Sequence, residues 1–402
     1  MSPATRAAPL SFALLLPLLL AAQPVATDSY LSALPAIAQA LGSASTSLTM
    51  FVLAFGVAQI PMGSLADRIG RRPVLLGGLA LYVVAALVGS LAVSATMLAG
   101  VRAVQGAAMA AILVCSRAAV RDLYPAHEGM HVMARGLSGL GVVALVAPVL
   151  GAFIVQWAGW RWVLVLMAVY GAALLALCWH SFAETRVPQP EGQPAAKGGV
   201  REVFASRSFR VWTSVSSASY GGIFCFLLLS PMVYIGYLGL EPALYGWIPS
   251  FGSAIYIGST LACRRLLYRW GPLRTIRLGA TLSISGALIQ ALGAWLLPAS
   301  AWPLLLGHAF YSMGHGIHQP CGQAGAVGDL PQLAGRAVSW SGFTMMAVAF
   351  CVGQFASRFI DERYSHGAWP MVVPMLLAGG ALVVIAFAWL PRVLQHQHKE
   401  RT

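Results

Sequence analysis

The sequence predicts an all-α polytopic membrane protein of about twelve transmembrane helices in two six-helix bundles. Three observations predict it. Hydrophobic residues make up 58% of the 402-residue chain, and its mean hydropathy is +0.74. Charged residues make up 9%, against about 25% in soluble domains, too few to cover a soluble fold of this size. The apolar residues come in long unalternating runs, which suit helices and not a β-barrel. A cytosolic globular enzyme, a disordered chain and a collagen-like chain are excluded.

A helix needs about 20 apolar residues to cross a bilayer. The first run with that length lies near residues 11–36. Arg6, the apolar stretch from Leu10 to Ala22 and the small pair Val25-Ala26 resemble a signal peptide. A retained first helix is the expectation, because Asp28 and its neighbours follow directly. Runs near 46–66, 74–95, 98–120, 133–156 and 160–182 complete a first set of six. Runs near 211–237, 245–264, 275–297, 302–324, 336–359 and 369–390 form the second. The expected domains are therefore 1–183 and 211–402, with a short cytoplasmic tail on the second. A Pro- and Gly-containing linker over 184–210 joins them.

The formal net charge is +13. Its arginines and lysines fall in short clusters between apolar runs, so no continuous basic patch for nucleic acid is expected. Arg68, Arg71, Arg72, Arg121, Arg186, Arg264, Arg265, Arg269 and Arg274 belong to one set of helix ends and loops; the opposite set holds only Arg161, Arg358 and Arg363. By the positive-inside rule both termini are expected in the cytoplasm. The six cysteines form no C-x-x-C pair, so neither a disulfide framework nor a metal site is expected, and they read as small packing residues.

The halves echo each other. Asp67-Arg68-Ile69-Gly70 after the second run lines up with Tyr268-Arg269-Trp270-Gly271, and Arg269 follows Arg68 by 201 residues. The first copy continues as Gly63 through Asp67, Arg68, Gly70, Arg71 and Arg72 to Pro73. A carboxylate at a helix end can cap a neighbouring helix or pair with an arginine in one packing state only. Gly63 is expected to permit close helix approach and Gly70 a tight turn. Together they suit a gating latch.

Asp28 is the one acid expected inside an apolar span. A lone intramembrane carboxyl is a functional candidate by default, able to take up and release a proton. Arg102 is the one base expected well inside a span, where it needs water, a carboxylate or carbonyls. It could steady a charged Asp28, bind substrate, or tie the first and fourth helices. His308, His315 and His318 share one run with Gln319, Pro320 and Gln323, and are expected to line a watery cavity rather than hold a metal. Tyr30, Tyr220 and Phe224 are candidate aromatic contacts, with Gln105 as a further cavity residue. His127-Glu128-Gly129-Met130-His131 matches the zinc-peptidase pattern H-E-x-x-H but is expected in a short loop without a third ligand. No Walker A sequence is present, so ATP hydrolysis in this chain is not supported and no cofactor is expected.

The loop at Gly63–Arg72 resembles the signature G-x-x-x-D-R-x-G-R-R of the major facilitator superfamily. Thr27-Asp28-Ser29-Tyr30-Leu31, continuing to Leu34-Pro35, resembles the first-helix motif of its Bcr/CflA drug-resistance transporters. Arg102-Ala103-Val104-Gln105-Gly106 and Ser116-Arg117 through Tyr124 resemble the start and exit of that family's fourth helix. Drug antiporters there carry G-P-x-x-G-G in the fifth helix; Ala147-Pro148 and Gly151-Ala152 keep only Pro148 and Gly151. The resemblance implies a monomeric proton-coupled transporter in a bacterial inner membrane. It would export phenicol-, bicyclomycin- or sulfonamide-type drugs by alternating access, with Asp28 and Arg102 in proton coupling. The incomplete fifth-helix motif keeps a natural solute, such as a nucleoside or sugar, as the alternative. A membrane metalloprotease is the remote one.

Overall fold

The computed structural model describes residues 10–124, 126–186, 199–330, 333–359 and 366–401. Arg6, the linker stretch with Pro188, Pro190, Pro194 and Gly198, and Arg363 lie outside the described residues, as do the side chains of His127 and His131. The chain divides into two compact units, Met1–Gln193 and Pro194–Thr402.

The first unit is built from α1 (Leu10–Leu31), α2 (Leu34–Leu41), α3 (Ser45–Ile69), α4 (Arg71–Ser90), α5 (Ala95–Leu123), α6 (Ala126–Ala158) and α7 (Trp160–Ser181). The first apolar run is thus two helices and not one. Pro35 has no N–H to donate and its ring clashes with the carbonyl one turn back, so the helix breaks at Ser32-Ala33 and restarts. The helix α1 is a packed member of the unit. Leu16, Leu19 and Leu20 are buried, and its Pro17 lies against Gly139 of α6. A second difference concerns residues 126–131, expected in a loop. They form the opening turns of α6, because the helix extends past its apolar core into the polar boundary.

The second unit holds α8 (Val200–Ala205), α9 (Arg207–Pro231) with a π-helical extension over Met232–Tyr237, α10 (Pro242–Leu296), α11 (Trp302–Gly328), α12 (Ala334–Ser357), α13 (Trp369–Val384) and α14 (Leu390–Arg401). The 55-residue α10 is two arms that meet at Gly271. Ten of the described helices are long and apolar enough to cross a membrane. Counting α10 as two arms and adding the polar but 27-residue α11 gives twelve, six in each unit.

The repeat seen in sequence is a repeat of backbone geometry. Gly70 (φ 107, ψ 159) joins α3 to α4, and Gly271 (φ 71, ψ 174) joins the arms of α10. Both sit in a region of positive φ and extended ψ that only glycine adopts without strain. A Cβ at Gly70 would also strike the carboxylate of Glu184, whereas one at Gly271 would meet nothing within 4 Å. Gly70→Ala is therefore expected to destabilise more than Gly271→Ala, which carries the backbone strain alone, about 1–3 kcal/mol. Thermal unfolding of both variants in detergent checks the order; equal losses would contradict it.

Candidate functional site

In the first unit the site grows from α1, α3 and α5. The backbone of α6 approaches α1 where Gly151 faces Ser29; any Cβ at Gly151 would overlap the Ser29 carbonyl. Pro148 is buried one turn earlier in α6. The residues retained from the fifth-helix motif therefore fix α1 beside Asp28. The Asp28 carboxyl is half-buried, with Oδ1 2.7 Å from the Thr27 hydroxyl. That hydroxyl is also 3.0 Å from the Gln23 carbonyl.

Arg102 on α5 is fully buried. Its guanidinium lies between two aromatic faces, 4.3 Å from the Tyr30 ring centre and 4.4 Å from that of Phe51. Nη1 donates to Gln105 Oε1 at 2.5 Å and Nη2 to the Ala26 carbonyl at 2.9 Å. Gln105 in turn points Nε2 at Met167 Sδ, 3.7 Å away. No salt bridge joins Arg102 to a carboxylate among the described residues. Of the roles open to Arg102, this geometry is the tie between helices, which brings its charge to α1 two residues before Asp28.

Tyr30 and Gln105 were expected to line a cavity, and both are instead fully buried around Arg102. Ser47 donates to the Ala44 carbonyl at 2.6 Å, so the Tyr30 hydroxyl donates to Ser47 Oγ at 2.8 Å. Both ends of the tyrosine are occupied within the protein. Phe51, Ser47 and Met167 were missed in sequence, where an apolar or small residue in a span carries no signal of its partner.

The loop around Gly70 is a set of charge contacts. Arg71 is 5% exposed and pairs with Asp122 at 3.0 Å and Asp67 at 2.6 Å. Asp67 is largely exposed, so the Asp122 contact is the better sheltered. Arg72 donates to the Trp179 carbonyl at 2.8 Å, and Arg186 to the Arg68 carbonyl at 2.9 Å. Gly63 plays no part in close approach, since a Cβ there would only touch Val114 at 4.0 Å. Of the two roles open to the Asp67 carboxylate, it takes the pairing with Arg71, and the cap on α4 comes from Glu184. Its Oε1 accepts from Arg71 N at 2.8 Å and its Oε2 from Arg72 N at 3.1 Å, closing the N-terminus of α4.

Partial burial works against the charge of Glu184. The backbone N–H groups of Arg186, Arg71, Arg72 and Thr185 outweigh it and hold the carboxyl below its ordinary value. A lowered native pKa adds stability that is present above the unfolded glutamate value and lost as pH falls through the native one. Glu184→Ala is expected to cost about 1 kcal/mol at neutral pH, as for a lost helix cap. It should also flatten the acid limb of a melting-temperature-against-pH curve. An unchanged limb would show that the cap is not titrating.

In the second unit α9 and α11 bring together most of the remaining candidates. His315 Nδ1 lies 2.9 Å from Ser219 Oγ. Its ring sits 6.3 Å from that of half-buried Tyr220 and 5.2 Å from that of half-buried Tyr256. Phe224 stacks on Tyr220 at 6.1 Å and is itself buried. Gln319 donates to the Ser216 carbonyl at 3.1 Å and accepts from Gln323 at 3.0 Å. His318 differs from expectation. It is fully buried against Gly279 of α10, so it packs the seam between α10 and α11 and lines no cavity. His308 likewise stacks on Phe226 at 3.5 Å. Tyr256 was missed because an aromatic in a span carries no signal of its partner in sequence. No group of three His, Cys, Asp or Glu able to hold a metal occurs among the described residues.

A family model described as the Major Facilitator Superfamily matches residues 18–354. A chloramphenicol resistance protein of Pseudomonas aeruginosa is 31% identical over 91% of this chain and 87% of its own length. A bicyclomycin resistance protein homolog of Haemophilus influenzae is 27% identical over 93% and 94%. Among solved structures, a bacterial homolog of the human lysosomal transporter Spinster, inward-facing and occupied, superposes with a TM-score of 0.74. That match covers 96% of both chains at 15% identity, and so speaks for the fold alone.

Proposed function

The chain belongs to the Major Facilitator Superfamily of membrane transporters, and on that premise we propose that it exports small amphipathic drugs in exchange for protons, with Asp28 as the proton carrier. The superfamily is one of transporters and not of enzymes, so H-E-x-x-H at His127 marks no peptidase. The relatives named for chloramphenicol and bicyclomycin resistance support drug efflux at the level of the family. Phenicols, bicyclomycin and sulfonamides are the drug types proposed here. The proposed setting is a bacterial inner membrane, with both termini cytoplasmic and the protein a monomer.

The observation that carries proton exchange is the surroundings of Asp28. Asp28 is a half-buried residue of α1, and the near partner of its carboxyl is a hydroxyl that has a choice. Thr27 carries one hydroxyl hydrogen. It can donate to a charged Asp28, or turn to the Gln23 carbonyl and accept from a protonated Asp28. Either charge state is satisfied without moving the helix. For substrate, the half-buried faces of Tyr220 and Tyr256 around His315 suit a flat, weakly polar ring. Ser219 fixes the orientation of that imidazole.

The test is a substrate panel on energised inside-out vesicles, following collapse of the pH gradient. Chloramphenicol or bicyclomycin is expected to move protons, and nucleosides and sugars are not. Proton movement with a nucleoside or sugar alone would replace the drug reading with the natural-solute one. A substrate that moves without protons would remove the coupling.

A further inference from the structure

The seam between the first arm of α10 and α11 ends in a pair of thiols. Pro320 has no N–H, so the Gly316 carbonyl one turn earlier lacks its helical donor. Thr260 supplies one at 3.2 Å, and Ser259 bonds the Met313 carbonyl at 2.6 Å. The backbones come close here, since a Cβ at Gly316 would lie 2.7 Å from the Tyr256 carbonyl. One turn further along α10, Cys263 Sγ reaches the Ile317 carbonyl at 3.9 Å and Cys321 Sγ at 3.6 Å. The other four cysteines, Cys115, Cys178, Cys225 and Cys351, are likewise free thiols.

We propose that Cys263 and Cys321 form an oxidisable dithiol that hydroperoxides convert to a disulfide between α10 and α11. A disulfide bond is about 2.0 Å long, so the sulfurs, 3.6 Å apart, need to close by about 1.6 Å. Both thiols are buried, Cys321 the less deeply at 7% exposed against 2%, so a small uncharged hydroperoxide reaches it first. Its sulfur takes one oxygen as the O–O bond of the peroxide breaks, giving a sulfenic acid and an alcohol or water. The Cys263 sulfur then displaces that oxygen. The S–S bond forms, the S–O bond breaks, and both thiol hydrogens end in the hydroxyl products. A reducing cytosol returns the pair to thiols, so the link marks oxidative challenge. Because α11 also carries His315 and Gln319, the link ties the backbone behind the proposed substrate face to its neighbour.

The test uses the purified full chain in a Cys351→Ala background, which removes the exposed thiol and leaves five. After hydrogen peroxide and denaturation without reductant, alkylation is expected to find three thiols. Peptide mapping should find Cys263 joined to Cys321. Adding Cys263→Ala or Cys321→Ala should prevent any disulfide. Five remaining thiols, or a link between other cysteines, would overturn the proposal. Loss of drug-driven proton movement on oxidation, restored by dithiothreitol, is the further expectation. That readout rests on the transport reading, while the thiol count does not, so the two fail separately.

Discussion

Asp28→Asn is expected to leave a folded protein that no longer couples transport to a pH gradient. Asparagine has nearly the same shape and keeps an oxygen for the Thr27 hydroxyl, so α1 keeps its local contacts. The contact that sets α1 against α6 is made by the Ser29 backbone at Gly151, which the substitution does not touch. What is lost is the capacity to take up a proton. Positioned proton-transfer groups contribute factors of roughly 10²–10⁴, and gradient-driven drug movement should fall by at least roughly a hundredfold. Downhill drug exchange without a gradient should survive, since it asks for binding and motion but no net proton transfer. Counterflow of radiolabelled chloramphenicol, with and without a pH gradient, separates the two. Full gradient-driven uptake in the variant would move the proton to another group.

Arg102→Met is expected to keep most of the stability and lose most of the transport. An intramembrane guanidinium without a carboxylate is costly to bury. Its compensation is the pair of aromatic faces, Gln105 and the Ala26 carbonyl. Methionine fills a similar slot beside the rings and removes the buried charge, at the cost of leaving Gln105 Oε1 without its donor. The net change in unfolding free energy should be small, about 2 kcal/mol or less. The tie from α5 to the Ala26 carbonyl of α1 disappears. Arg102→Lys is the sharper control. An ammonium restores the charge but has no planar fork to reach Gln105 and Ala26 while lying flat between two rings. If Arg102 acts through position, lysine should not rescue, and the pH profile of transport should shift in both variants. Recovery with lysine and an unmoved profile would reduce Arg102 to a bulk charge.

The sequence made the fold legible because most spans announce themselves as long apolar runs, and the repeat announces itself through Gly70 and Gly271. It hid what depends on partners. Glu184 reads as the start of a polar linker, yet it folds back to cap α4, and no local pattern distinguishes the two. Tyr30 and Gln105 read as polar groups in a membrane, which suggests a cavity. Their burial follows from Arg102 needing rings and an amide around it. His318 misled in the same way, because Gly279, far off in sequence, makes room for its ring. Gly63 belongs to the matched motif, but the helix spacing there does not need it. Asp28 and Arg102 stand out in the sequence because an intramembrane charge is costly wherever it sits.

The most direct test of the central claim needs no membrane potential. Purified protein in weakly buffered detergent solution, with a pH-indicator dye, is mixed with chloramphenicol near neutral pH. If Asp28 exchanges its proton for drug, binding should release protons, at most one per bound drug, from the wild-type protein and none from Asp28→Asn. Release of the same size in both proteins, at matched occupancy, would contradict the assignment of Asp28 as the proton carrier.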